Sequence, residues 1–187
     1  MAVKIYIDQG HNPVNPNAGA EGNGYREQDL VYEIGQRLSE ILEANGLETR
    51  LSRPFPDTQL GTSTASSLSA RVNDANVLGA DYFVSLHTNA SLLATAAGSE
   101  AYVFRLGTSA SALAESILSQ LRFATGLPTR GVFARPTLYV LRRTRMPAVL
   151  VEMGFISNPY EASLMAGQPG LFANGIANGI LAYLGLL

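Results

Sequence analysis

The chain has 187 residues, a net charge of −2, an apolar fraction of 47% and no cysteine. This length fits a single domain that buries roughly 70% of its unfolded surface, and the apolar content excludes general disorder. Without cysteine there are no disulfides, thiolate nucleophiles or Cys-type zinc sites; without a basic run, nucleic acid is not expected as the main partner.

No apolar stretch approaches the ~18 residues of a membrane span. The N-terminal MAVKIYID lacks the charged start, long apolar core and cleavage site of a signal peptide. It reads instead as a first strand, in which Val3, Ile5 and Ile7 alternate with Lys4 and Tyr6. A loop rich in Asn, Gly and Pro follows from Gln9 to Gly24. Leu30, Ile34, Leu38 and Leu42 then recur at helical spacing, with Gly24 as the expected N-cap, Glu27 at N3 and Asn45-Gly46 as the stop.

Glu48–Leu51 is expected as the second strand, 53–67 as a long surface loop, and a helix from about Ser69 to Leu78. Strands follow at 82–87 and 100–104, then a helix carrying Leu113, Ile117 and Leu121 that ends near Gly126. Two more strands are expected at 138–141 and 148–153. Asn158-Pro159-Tyr160-Glu161 has the form of a capping box, to which Asn158 and Glu161 are assigned, and one last helix carries Phe172, Ile176, Ile180 and Leu184. The alternation predicts one α/β domain over 1–187, with a mainly parallel sheet of about six strands flanked by helices.

Ligands of such sheets bind beyond the carboxyl ends of strands. Three strands end there in reactive side chains: IYIDQGH in His11, YFVSLHTN in His87 and AVLVEMGF in Glu152. Both histidines of the chain are in this set. Two His and one carboxylate can hold zinc with a position open for water, and Asp8, Glu21, Glu27, Asp29, Glu100 and Glu152 are candidates for the third ligand. Glu27 is attractive because it follows the Gly-rich loop that His11 opens. Helix-start electrostatics would also account for it, and Asp8 would serve equally as a turn-former. Glu152 interrupts a run of buried residues, where a lone carboxylate is costly unless paired or functional. Phosphate-cradling, dinucleotide-binding and nucleophile-elbow motifs do not occur.

Four segments in order, IYIDQGHNP, YREQDL, ARVNDANVLGADYFVSLHTNAS and LYVLRRTRMPAVLVEMGFISNPYEA, resemble the zinc-dependent N-acetylmuramoyl-L-alanine amidases of the amidase-3 type. The resemblance runs nearly the full length. It implies that His11, Glu27 and His87 bind one Zn2+ and that Glu152 is the catalytic carboxylate. It also implies hydrolysis of the amide between the lactyl group of N-acetylmuramic acid and L-alanine of the stem peptide, at the bacterial cell wall or spore cortex. Asn89 and Glu100, with Arg130, lie where the stem peptide could be met, and the 53–67 loop could border the groove. Many members carry two glycines after the first histidine, where this chain has Asn12-Pro13; proline fixes φ and removes an N–H, which alters the loop. A peptidase cutting inside the stem peptide and a non-catalytic wall-binding domain are the competing readings. Targeting would come from a separate module or partner, or the activity would rely on local concentration alone.

Overall fold

A computed structural model describes residues 2–187. Its framework is a six-stranded sheet in the order β4-β1-β5-β8-β6-β7, comprising β1 (Lys4–Gln9), β4 (Glu48–Leu51), β5 (Tyr82–Asn89), β6 (Ser99–Val103), β7 (Thr129–Ala134) and β8 (Ala148–Phe155). The first four strands of that order are parallel. β6 runs antiparallel to β8, and β7 runs parallel to β6. A two-residue hairpin of β2 (Glu21–Gly22) and β3 (Tyr25–Arg26) stands apart. The expected α/β domain with a mainly parallel six-stranded sheet is the fold observed.

Strand alternation sorts the side chains into two layers. Ile5, Ile7, Val84, Leu86, Val149 and Val151 face the larger core, covered by α1 (Glu27–Ala44), α3 (Ser109–Thr125) and α6 (Pro169–Tyr183). Tyr6, Phe83, Tyr102 and Leu150 face a smaller one, beneath α2 (Thr64–Leu78) and α4 (Tyr139–Arg143). The polar strand residues Asp8, Ser85, His87, Glu152 and Glu100 share the parity of this second face. Among the described residues no helix is long and apolar enough to cross a membrane.

Several local expectations are corrected. Helix α1 begins at Glu27 with Arg26 as N-cap, so Glu27 is N1 rather than N3. Asn23 and Gly24, with φ of 53° and 83°, instead turn the β2–β3 hairpin, a geometry that glycine adopts without steric cost. Helix α2 starts at Thr64, inside the expected 53–67 loop. Ser63 and Ser66 cap it reciprocally, which makes a Ser/Thr-rich stretch helical.

The 138–141 segment is helical, not a strand. Its β-branched and aromatic residues suit a strand, but β8 is already paired on both sides. The Leu138 N–H turns back to the Arg135 carbonyl, and the Arg142 N–H donates to the Leu138 carbonyl. The sixth strand is instead Thr129–Ala134, an edge strand whose residues are all intermediate or exposed and so carry little apolar alternation. The final helix is two, α5 (Pro159–Gly167) and α6, separated at Gln168 before Pro169.

Glu161 is not confined to capping. Asn158 caps α5, accepting from the N–H groups of Tyr160 and Glu161. The Glu161 carboxylate turns away to accept the N–H of Gly98 (2.6 Å) and of Phe155 (2.7 Å), tying the start of β6 to the end of β8.

Helices α3 and α6 pack closely because α6 presents glycine. A Cβ at Gly179 would clash with the Cα of Ile117, whereas one at Gly170 would meet nothing. Gly179→Ala is therefore expected to destabilise by about 1–3 kcal/mol through overpacking, read as a lower urea midpoint. Gly170→Ala should leave the midpoint within about 0.5 kcal/mol of wild type.

Candidate metal centre

Where β1 ends, the Gly10 N–H continues the pairing with the Leu86 carbonyl at 3.0 Å. A Cβ on Gly10 would stand 2.5 Å from Cε1 of His87. Only a glycine lets the backbone pass against that ring. His11 follows with φ of 66°, in the left-handed region that costs a non-glycine residue on the order of 1 kcal/mol.

Arg71 of α2 holds this conformation. Its guanidinium, 1% exposed, donates from Nη1 to Asp8 Oδ1 (2.5 Å), the Gln9 carbonyl (2.7 Å) and Ser52 Oγ (3.2 Å). From Nη2 it donates to the His11 carbonyl and to Asn12 Oδ1 (3.3 Å). Asp8 also accepts from Ser85 Oγ at 2.7 Å. Burial opposes ionisation of Asp8, but the Arg71 charge and these hydrogen bonds outweigh it and hold its carboxyl below the usual range. Asp8 thus supports the His11 loop, as expected of a turn-former, although it acts through Arg71 rather than by bonding to the loop backbone.

Asn12 accounts for the unusual dipeptide. Fully buried, it donates from Nδ2 to the carbonyls of Pro16 (2.8 Å) and Leu60 (2.9 Å) and accepts the Leu60 N–H (3.2 Å). Its own N–H donates to the Asn17 carbonyl. A side chain here knots the His11 loop to the segment before α2, which a glycine at this position would not do. The Pro13 carbonyl accepts from Arg26 at 3.1 Å.

Glu27 reaches in from the first turn of α1 and lies between the two histidines. Oε1 accepts the Thr88 N–H (2.9 Å) and faces His87 Nδ1 (3.0 Å). Oε2 accepts the Ala20 N–H (2.9 Å) and faces His11 Nε2 (3.2 Å). Burial opposes this charge. Contact with His11 and His87 more than compensates, so the carboxyl sits well below the usual range. His87 is affected in the opposite sense: burial disfavours its cation, yet the Glu27 carboxylate raises its pKa overall.

Donor atoms of His11, Glu27 and His87 all lie within 4.8 Å of one another, the one such group among the described residues that could hold a metal ion. The residues fit one. Nδ1 of His11 is buried without a hydrogen-bond partner, and two imidazoles with one carboxylate are a set that divalent metals accept. The other candidate third ligands are not brought into this group. Asp8 is held by Arg71, Asp29 pairs with Arg26, Glu21 is exposed and Glu100 pairs with Arg130.

Glu152 lies beside the group. On β8 it is in register with His87 of β5 on one side and Glu100 of β6 on the other. Its Oε2 is buried and unpartnered. Burial, opposed by His87 and reinforced by Glu27 and Glu100, pushes its carboxyl up to about 7. Glu100, by contrast, is fully engaged: it accepts from Asn89 Nδ2 (2.8 Å), the Tyr102 hydroxyl and Arg130 Nε (2.7 Å). The structure thus brings Asn89 and Glu100 together, each holding the other.

Sequence reading missed Arg71 and the buried role of Asn12. The signal for Arg71 was its position one turn before the buried Ala75 and one after the buried Ser67, on the inner face of α2.

A mainly parallel sheet with this His–Glu–His group and a free carboxylate at its strand ends defines a hydrolase-type α/β domain fit to hold a metal ion. The chain belongs to the N-acetylmuramoyl-L-alanine amidase family of the amidase-3 type, whose model matches residues 5–182. It is 36% identical over 183 residues to the amidase LytC of Bacillus subtilis, covering 96% of this chain and 35% of that protein. It is 34% identical to the sporulation-specific N-acetylmuramoyl-L-alanine amidase of the same organism, covering 95% of this chain and 67% of that one. The chain thus spans about a third and two thirds of those two relatives. The solved catalytic domain of CwlV, an N-acetylmuramoyl-L-alanine amidase from Bacillus (Paenibacillus) polymyxa, superposes with a TM-score of 0.86 at 33% identity, each chain covered to 99%.

Asp8→Asn leaves the Arg71 charge buried without its counter-ion and is expected to cost about 3–5 kcal/mol in urea unfolding. Because the folded pKa of Asp8 lies below its ordinary 3.8, the wild-type contribution is fully present above about pH 4 and fades as pH falls further. The difference between wild type and variant should shrink over that same acid range.

Proposed function

We propose that the chain is a zinc-dependent amidase catalytic domain over residues 1–187. In this reading it hydrolyses the amide between N-acetylmuramic acid and the L-alanine of the peptidoglycan stem peptide. The observation that carries the reading is the convergence of His11, Glu27 and His87 beside the buried, unpartnered carboxylate of Glu152. Membership of the amidase family supplies the bond.

His11, Glu27 and His87 would hold the ion, leaving a coordination position for water and substrate. Zinc bound there would supply Lewis acidity, polarising a carbonyl and lowering the pKa of a water to roughly 7. The chain's own part is to fix the donors and to move a proton. Glu27 is locked by two backbone N–H groups, and His11 by the Arg71 clamp. Glu152 takes the proton of the attacking water and delivers it to the departing alanine nitrogen. Buried with an oxygen that has no partner, its carboxylate is free both to accept that proton and to return it. Asn89, held by Glu100, is the residue of that pair that would meet the stem peptide, and the work is done on the bacterial wall.

Glu152→Gln is expected to lower the hydrolysis rate about 10²–10⁴-fold with close to one zinc per chain still bound. Near-wild-type hydrolysis by that zinc-loaded variant would remove Glu152 from the role. Digestion of defined muropeptides, followed by mass spectrometry, tests the bond itself. Free L-alanine amines and intact glycan are expected, and a chelator should abolish them. Cleavage inside the stem peptide would make the enzyme a peptidase instead.

A further inference from the structure

The charges of this chain are unevenly placed. Residues 101–151 hold seven arginines against one acid, Glu115, while the remainder holds six basic groups against fourteen acidic ones. The two sets also behave differently. Outside that stretch, every basic side chain except Arg53 has a carboxylate partner within 4.0 Å. Arg105, Arg135, Arg142, Arg143 and Arg145 are all exposed, and among the described residues none has an ion-pair partner. The sequence expectation of no basic run overlooked Arg142-Arg143-Thr144-Arg145, and it had no means of seeing the rest assemble.

The reversed strand gathers them. Because β6 is antiparallel to β8, Val103 at its end lies beside Val149 at the start of β8, at the end of the sheet opposite Glu100 and Glu152. Arg105 follows β6 directly. The Arg135 N–H donates to the Val103 carbonyl, and its guanidinium lies over the Tyr102 ring. Arg142 and Arg143 close α4, and the chain passes Arg145 to enter β8 at Ala148. Arg105 and Arg142 line one cavity of about 490 Å³ together with Thr108, the N-cap of α3, whose first turn contains no acid.

We infer that this end of the domain is a docking surface for a phosphodiester-linked anionic polymer of the cell wall, of the poly(glycerol phosphate) kind. The inference rests on the wall-hydrolase reading for its choice of polymer. Guanidinium groups pair with phosphate oxygens in two-point geometry, and the N-terminus of α3 adds fixed positive charge. Four unpaired arginines spread over one end, Arg105, Arg142, Arg143 and Arg145, suit a repeating ligand better than a single ion, whereas the Arg135 side chain turns back over Tyr102 toward Glu152. The partner engages the end remote from Glu152, so the candidate metal centre stays open to the peptidoglycan. The acidic remainder of the molecule is repelled by the same polymer, which orients the domain.

The test uses the full chain and dye-labelled poly(glycerol phosphate), with binding read by fluorescence anisotropy across a salt series, beside hydrolysis of a soluble muramoyl peptide. Wild type is expected to bind, with affinity falling as salt rises. R105E/R142E/R143E should bind at least about tenfold more weakly while hydrolysing the soluble substrate at the wild-type rate, with an unchanged circular-dichroism melt. Absence of wild-type binding, or equal binding by the variant, would overturn the inference. So would tighter binding, at equal phosphate, to a DNA oligonucleotide or to phosphatidylglycerol vesicles. Polymer binding by a wild-type protein that leaves the muramoyl peptide intact would sustain the surface and remove the amidase reading alone.

Discussion

The buried pair of Asp8 and Arg71 is the contact on which the centre depends. A guanidinium from α2 spans the end of β1, the segment after β4 and the loop that carries His11, and it holds His11 in a backbone conformation that residue would otherwise avoid. Buried ion pairs are weak evidence for net stability, because desolvation cancels much of their attraction. Here the gain is positional. Arg71 donates to five acceptors around that strand end, the Gln9 and His11 carbonyls among them, and so fixes where a histidine side chain projects. Asn12 extends the same network into the segment before α2.

A second constraint is the direction of β6. In an all-parallel sheet, Glu100 at the start of its strand would lie at the far end from Glu152. Antiparallel pairing sets the two in register, flanking Glu152 with a histidine on one side and a carboxylate on the other. Arg130 and Tyr102 hold Glu100 in place, so it stays aligned beside Glu152 in the neighbouring strand. The same reversal carries the ends of β6 and β7 to the opposite pole, where the unpaired arginines collect. One topological feature thus separates the candidate reaction centre from the basic surface.

Much of this was legible in the sequence. Period-2 alternation marks the first strand and short apolar segments between breaks mark four more of the six, while the helical stripes of α1, α3 and α6 stand out as repeats of three and four. The strand-end rule drew out His11, His87 and Glu152, because each breaks an apolar segment at the place where such sheets bind ligands. Glu27 was visible only as one of several carboxylates until the segment resemblance singled it out. What stayed hidden depends on contacts distant in sequence. Thr129–Ala134 is a strand because β6 offers an edge, and 138–141 is a helix because β8 does not. Glu161 looked like a cap since position N3 explains a glutamate locally; only the fold shows Gly98 and Phe155 presenting their N–H groups to it. Arg71 lies 63 residues from Asp8, and no local pattern announces that pairing.

Whether His11, Glu27 and His87 hold zinc together, as proposed, is read by X-ray absorption at the zinc edge of the loaded protein. A shell of nitrogen and oxygen only is expected, with the multiple-scattering signature of two imidazoles that falls to one in His87→Ala. A shell with fewer than two imidazoles in the wild type, or one unchanged by that substitution, would contradict it.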